Sequence, residues 1–480
     1  MLGGLRTSRL CAAVALIIGL AGPSDADELA PAASADVPVP EQAPPDQKPG
    51  SQKPDGHLHA AGQSPDRSAK EFLKDVWTRD TLTGDWGGLR TDLHDHGIDI
   101  GFRLSQYGQW VASGGADQDG AYGGTMDYRV NADLNKLVHS WKGLSVSLHA
   151  RTRFGNDIGA DAGGLVLPNT GLLMPLPGDY SDSDVTGLLV NQMFPLFAGR
   201  EGVFSFGKID VLDAVTLFFP SVAYGQEGFS NVNSLVSAMP WFGAVRGLSL
   251  FGGWLASFNE KYQIGESAIL ITGTENVTTN WKFKESFEDG VWIAAFHRFL
   301  WKLDDKTGYF MVFGGVSTDE QVSVESLDFV SKPGGGLTVT GDEKKPWDIA
   351  LYLSQVFWQA EDDPSRKATI LIGGTVGPDD PQFAQYNLFA SVEAFGPMAS
   401  RPQDRMGVSF FYNWLSDDFV DTLTDLPIPI RLRDVWGFEL YYNIAINKWM
   451  HLTPDLQLVK NENKGDDLAV IPGIRLVLDF

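Results

Sequence analysis

The chain has 480 residues, of which 43% are hydrophobic and 20% charged, and its formal net charge is −24. An acidic balance of that size repels nucleic acid, so no nucleic-acid partner is expected, and a single cysteine leaves no internal disulfide to hold the fold. Past the N-terminal leader no apolar run reaches about 18 residues, which excludes helical membrane spans, while 53 glycines and 11% aromatics fit many short strands joined by tight turns.

Residues 1–26 open with Arg6 and Arg9, continue through an apolar run, and reach Ser24, Asp25 and Ala26, a small-x-small cleavage pattern. They read as a secretory signal peptide, because the apolar run is too short to span a membrane. Cys11 precedes the apolar core rather than a cleavage site, so no lipid anchor is expected and the mature chain has no cysteine. Residues 27–67 are rich in Pro, Ala, Asp, Gln and Lys and nearly lack aromatic residues. Such a segment buries too little surface to offset its ordering entropy and is read as a disordered linker. His57 and His59 within it could form a metal pair, but two histidines in a floppy segment are more often solvated.

Residues 68–96 are expected to be periplasmic. Ser68 caps a short amphipathic helix carrying Phe72, Leu73, Val76 and Trp77, and the run Leu82, Thr83, Gly84, Asp85, Trp86, Gly87, Gly88, Leu89, Arg90 follows as a tight turn. The glycines permit the turn, and Trp86 suits a membrane interface. His94 and His96 lack a third metal ligand nearby. From Ile98 the chain alternates, with Ile98, Ile100, Phe102 and Leu104 on one face and Asp99, Arg103, Ser105 and Tyr107 on the other.

The middle of the chain repeats this pattern at the ~9–11 residues a tilted membrane strand needs. The segments are 125–137, 144–154, 184–194, 203–211, 236–245, 248–258, 291–301, 309–318, 348–359, 368–376, 385–395, 406–416, 435–446 and 449–460. Some outward faces are strongly aromatic, for example Trp436, Phe438 and Tyr442, or Phe410, Tyr412 and Trp414. In a soluble protein a second layer would have to cover them; in a barrel, lipid does. The last strand sets Ile474, Leu476, Leu478 and Phe480 on one face and Arg475, Val477 and Asp479 on the other, and it stops on the aromatic residue.

The Leu-Thr-Gly-Asp-Trp-Gly-Gly-Leu-Arg run followed by a Gly-Ile strand start resembles the N-terminal signature of the carbohydrate-selective porins of the OprB type. Leu440 to Ile444, then Leu452 to Val459, then the strand ending at Phe480, are similar to that family's last three strands in order. The resemblance implies an outer-membrane, antiparallel, up-and-down β-barrel of about sixteen strands over residues 97–480, and a sugar-binding constriction with arginine and acidic residues. Only the signature positions transfer residue by residue, and Gly84, Asp85, Trp86, Gly87, Gly88, Arg90 and Phe480 read as structural.

The constriction is therefore read from alternation. Inward positions on the first three strands are Asp99 and Arg103; Asp127, Arg129, Asn131 and Asp133; and His149, Arg151 and Arg153. A guanidinium can donate to two sugar hydroxyls while carboxylates accept from others, which makes Arg103, Asp127, Arg129, Asp133, Arg151, Arg153 and Glu227 the candidate sugar-contacting set. The plainer alternative is an Arg and Asp ladder that stiffens the wall. Two loops, 155–183 and 212–233, are too long for periplasmic turns and carry apolar runs, so one or both are expected to fold into the lumen. They would bring Asp161, Asp179, Asp182, Asp184 and Glu227 opposite the arginines, and Phe218, Phe219, Tyr224 and Phe229 either against a sugar ring or, as anchors, against the wall.

No nucleophile elbow, phosphate loop or Cys-based metal spacing occurs, and Asp127 with Asp133 is not specific enough to argue a glycosidase. No catalytic residue, cofactor or metal is expected. The expected function is passive diffusion of mono- or small oligosaccharides across the Gram-negative outer membrane. The alternatives are a general or sugar-acid porin, and a soluble periplasmic carbohydrate-binding or hydrolytic β protein. Expected partners are sugar solutes, outer-membrane lipid and, through the C-terminal strand, the barrel assembly machinery; monomer and homotrimer both remain open.

Overall fold

The computed structural model describes residues 75–173, 182–196, 200–218, 226–235, 249–258, 265–278, 281–326, 328–331, 337–425 and 430–480. Sixteen antiparallel strands close into one barrel, each pairing with its neighbours in the chain. The first eight are β1 (Ile98–Trp110), β2 (Gly120–Asp133), β3 (Leu144–Gly155), β4 (Asp182–Pro195), β5 (Glu201–Asp210), β6 (Ser249–Phe258), β7 (Glu266–Gly273) and β8 (Val291–Leu303). The other eight are β9 (Lys306–Ser317), β10 (Trp347–Gln359), β11 (Lys367–Val376), β12 (Ala384–Phe395), β13 (Arg405–Leu415), β14 (Val435–Asn447), β15 (Met450–Lys460) and β16 (Ala469–Asp479). Two short two-stranded ribbons in the connection between β9 and β10 lie outside the wall.

The strands exist because their side chains alternate. Along β10 the side chains of Ile349, Leu351 and Leu353 are nearly half exposed, while Asp348, Ala350, Tyr352 and Ser354 between them are buried. Val190, Phe204, Phe206, Ile269, Ile271, Phe299, Leu440 and Ile474 continue the outward apolar surface around the wall. An apolar surface of that extent is stable only against lipid, and closure leaves no unpaired strand edge inside it.

Most connections alternate in length, the exceptions being 111–119 and 377–383, which are no longer than the connections that follow them. Turns such as Asp304-Asp305, both with positive φ, join strands at one end, and long loops join them at the other. This is the short-turn periplasmic end and long-loop external end of an outer-membrane barrel. The barrel closes where β1 pairs with β16, from Arg103 opposite Asp479 to Gln109 opposite Gly473. Beyond that seam Gly114 has φ +67, and a Cβ there would sit 2.1 Å from the Leu468 carbonyl oxygen, so only glycine permits the close approach.

Two expectations need adjusting. The segment 125–137 does not remain extended to its end: Asp133 accepts hydrogen bonds from the backbone N–H groups of Asn135 and Lys136 and starts the helix Leu134–Val138. In the described wall β5 pairs directly with β6, and the expected segment 236–245 lies outside the described residues. The strand not anticipated is β7, whose faces are both apolar: Ala268 and Leu270 point in, Ile269 and Ile271 point out. Such a run has no period of two to read. Of the short helix expected from Ser68, residues 75–78 are helical, and 68–74 lie outside the described residues, as do the leader and the linker.

Candidate functional site

Strand register assembles the first part of the lumen wall. Arg103 on β1 stands opposite Asp127 on β2, and Asp127 stands opposite Arg151 on β3. Asp127 is fully enclosed. One of its oxygens accepts from Arg151 Nε at 2.7 Å and lies 2.8 Å from His149 Nε2; the other accepts from Gln226 Nε2 at 2.8 Å. Arg153 donates to Asp157 at 2.8 Å. Arg103 donates twice to Asp479, at 2.6 and 2.9 Å, and meets Glu227 at 2.8 Å.

The candidate residues therefore separate into two kinds. Asp127, Arg151 and Arg153 are buried and bound to one another, to neighbouring strands or to loops, as in the wall-stiffening ladder. Arg103, 22% exposed, and Glu227, 32% exposed, still face the lumen. Arg129 is half-buried and borders open space. Asp133 is the helix cap already described, and its alternation with Asp127 carries it to the rim, out of the group.

The described parts of both long loops lie inside the barrel. Ile158, Ala162, Val166 and Leu172 of the first, and Phe229 and Val232 of the second, are buried. Burial of these apolar groups drives the folding-in, and polar side chains satisfy the backbone that comes with them. The loops bind each other, since Thr170 N donates to the Ser230 carbonyl at 2.8 Å. Leaving the wall after β5, the second loop crosses to its far side. Glu439 on β14 accepts from Ser230 N (2.5 Å) and Asn231 N (3.1 Å). Arg475 on β16 donates to the Gly228 carbonyl (2.7 Å) and to Ser230 Oγ (2.8 Å). Asn231 donates to Gln457 on β15 (3.0 Å), and Ser234 meets Ser409 on β13 (2.6 Å).

Of the loop residues expected to face the arginines, Glu227 does so. Burial alone would raise its carboxyl, but Arg103, aided by His451 and Arg405, holds it below the ordinary value of 4.5. Asp161 does not: it stands among Asp117, Asp119 and Asp157, and burial together with those like charges raises its carboxyl. Phe229 packs edge-on against Tyr441, ring centres 4.9 Å apart, as an anchor to the wall. Asp179, Phe219 and Tyr224 lie outside the described residues, as do the side chains of Asp182 and Phe218.

Glu439, Gln457, Arg475, Ser409 and Asn413 were not singled out from the sequence. Their signal is an inward polar position on a late strand, which alternation shows, but the loop they receive comes from far earlier in the chain.

The turn signature packs against the end of the last strand. Gly87 and Gly88 adopt φ +72 and +100, and Asp85 accepts from the backbone N–H and hydroxyl of Thr91. Arg90 lies over the Trp86 ring at 4.4 Å and donates to the Phe480 carbonyl at 2.6 Å. Leu82 N donates to the Asp479 carbonyl, so the signature is tied to the end of the last strand. A cavity of about 880 Å3 opens there, bordered by Trp86, Arg103, Arg129, Asp479 and Phe480. A second, of about 420 Å3, is bordered by Arg129, Asn131, Ser147, Asn191, Asp213 and Trp254. Arg129 borders both.

A closed barrel with a lipid-facing apolar surface, a polar lumen and loops folded into that lumen is a porin of the Gram-negative outer membrane, a channel and not an enzyme. This removes the soluble periplasmic alternative. The chain belongs to the carbohydrate-selective porin, OprB family, whose profile matches residues 117–480. It is similar to Porin B of Pseudomonas aeruginosa, at 24% identity over 442 residues, 83% of this chain and 91% of that protein. Its fold is similar to the high-pH structure of Pseudomonas putida OprB, with TM-score 0.67, 17% identity, and coverage of 84% of this chain and 99% of that one. The low-pH structure of the same protein covers the same shares at TM-score 0.51 and 15% identity.

Proposed function

We propose that this porin admits mono- and small oligosaccharides down their concentration gradient, through a narrowing formed where the second loop meets β1. The observation that carries the reading is the Arg103–Glu227 pair, partly exposed at that crossing, with Arg129 at the junction of the two cavities. The smaller cavity falls within the ~300–1,000 Å3 of small-molecule sites. Its border of hydroxyl, amide and charged groups beside an indole suits a ring with polar edges and apolar faces. A passing sugar would exchange hydration hydrogen bonds for wall contacts weak enough to release it, without energy coupling.

The sugar-acid alternative loses support because three of the four inward arginines are paired with carboxylates: Arg151 with Asp127, Arg153 with Asp157, and Arg103 with Asp479 and Glu227. In this reading Asp127, Arg151 and Arg153 support the narrowing rather than touch solute. Residues 1–26 export the chain, and the strand ending at Phe480 is the handle for the assembly machinery.

Single-channel recording of refolded protein tests the assignment, with neutral sugars and then small organic anions titrated against the salt current. Saturable block by a neutral sugar is expected. Arg103→Ala and Arg129→Ala should each raise the blocking concentration about tenfold, the equivalent of one charge-assisted hydrogen bond. Block by anions alone would establish an acid-solute pore instead.

A further inference from the structure

At the root of the second loop, His149 on β3, Asp210 at the end of β5 and Asp213 in the helix Val211–Phe218 converge. One ring nitrogen and two carboxylate oxygens lie within 4.8 Å of one another. His149 Nδ1 is 2.8 Å from Asp213 Oδ2 and 3.4 Å from Asp210 Oδ2. The opposite ring nitrogen, Nε2, is 2.8 Å from Asp127 Oδ1. An ionised carboxylate only accepts, so Nε2 carries a hydrogen and Asp127 holds the ring in place. Metal-binding imidazoles are oriented in this way, with a carboxylate on the far N–H and the near lone pair aimed at the ion.

A second observation concerns the Asp210 carboxylate itself. Asp210 is 1% exposed, and its Oδ2 is enclosed with no hydrogen-bond partner. A hydrogen on Nδ1 could serve Asp213 at the shorter distance but would leave Asp210 Oδ2 unserved, whereas one cation serves all three atoms. Tetrahedral zinc with N and O ligands at ~2.0–2.2 Å sets them about 3.3 Å apart. The 3.4 Å separation already fits, and the 2.8 Å one widens by a small movement of Asp213. That side chain is 27% exposed and borders the 420 Å3 cavity with His149, which provides an entry route from the lumen and an open coordination position.

We propose that His149, Asp210 and Asp213 bind one divalent transition-metal cation of the zinc type, pinning the root of the lumen-crossing loop to β3. One imidazole and two carboxylates form a donor set that zinc accepts readily. The proposal is independent of which solute passes, so it stands or falls apart from the sugar reading.

The test is zinc titration by calorimetry of refolded, chelator-stripped full chain in detergent. One tight site per chain is expected. His149→Asn and Asp213→Asn should each weaken it more than tenfold, and Asp127→Asn, which weakens the ring support and the Arg151 pair but removes no ligand, by about tenfold. Retained heat-modifiable migration in gels certifies that each variant is folded. If His149→Asn does not fold, the partly exposed Asp213→Asn decides alone. Exposed carboxylates elsewhere bind equally in all forms and cancel in the comparison. Wild-type binding no tighter than that of the folded variants would overturn the site and leave His149 as an imidazolium donating from both nitrogens.

Discussion

Glu439 offers the sharpest test of how the lumen is narrowed. Its carboxylate accepts the backbone N–H groups of Ser230 and Asn231, both enclosed between loop and wall. Glu439→Ala leaves two buried donors unserved, at roughly 1–3 kcal/mol each, so about 2–6 kcal/mol is lost from docking. The remaining anchors to Arg475, Gln457 and Ser409, and from Asn413 to Asn233, are net ~0.5–1.5 kcal/mol apiece. Their sum is of the same size as the loss. Loop docking should therefore move from nearly complete to a measurable equilibrium while the wall stays intact. Glu439→Gln keeps one acceptor oxygen and should fall between. In single-channel recordings the Ala variant is expected to flicker to a larger conductance and to lose sugar block, and backbone hydrogen exchange at Ser230 and Asn231 should accelerate. Wild-type conductance and unchanged exchange in a folded Ala variant would refute the view that this carboxylate holds the loop.

Arg90→Ala removes a charge-assisted hydrogen bond to the Phe480 carbonyl and the contact with the Trp86 ring, together about 2–4 kcal/mol. The β1–β16 seam should fray, seen as a lower temperature for the gel-mobility shift, with conductance retained. Leu353, midway along the outward face of β10, faces lipid; Leu353→Arg should cost about 2–4 kcal/mol in urea unfolding from vesicles, whereas a lumen-facing substitution such as Ser354→Thr should cost far less. The Glu227 carboxyl is held below its ordinary value of 4.5, so its ion pair with Arg103 is present above that pH and is lost as pH falls through the depressed value. Conductance and sugar block should be flat from neutrality to about pH 5 and change only below 4.5, while Glu227→Gln should show the altered behaviour already at neutral pH and lack the acid transition.

How far the sequence reaches is set by which interactions are local. Alternation in β1, β10, β14 and β16 was legible because lipid imposes one rule on each strand separately: apolar outward, polar inward. The same rule fails on β7, where Leu270 and Ala268 point into the barrel, and at Asp133, where a capping side chain interrupts the strand. The folded-in loops could be foreseen from length and apolar content, because Ile158, Val166 and Phe229 cannot remain in water.

Their destinations could not be foreseen. That Glu439 receives Ser230, that Arg475 holds Gly228, and that Gln226 completes Asp127 are pairings between distant parts of the chain, decided by closure of the wall and the path of the loop through it. The same packing sorted the arginines. Arg103, Arg151 and Arg153 are alike by alternation, yet loop and neighbouring carboxylates enclose the latter two and leave the first facing the lumen. The periodicity of this sequence determined a barrel with a polar interior. Which polar groups remain available to a solute was decided only by the tertiary structure, because access depends on what covers a side chain and not on the side chain itself.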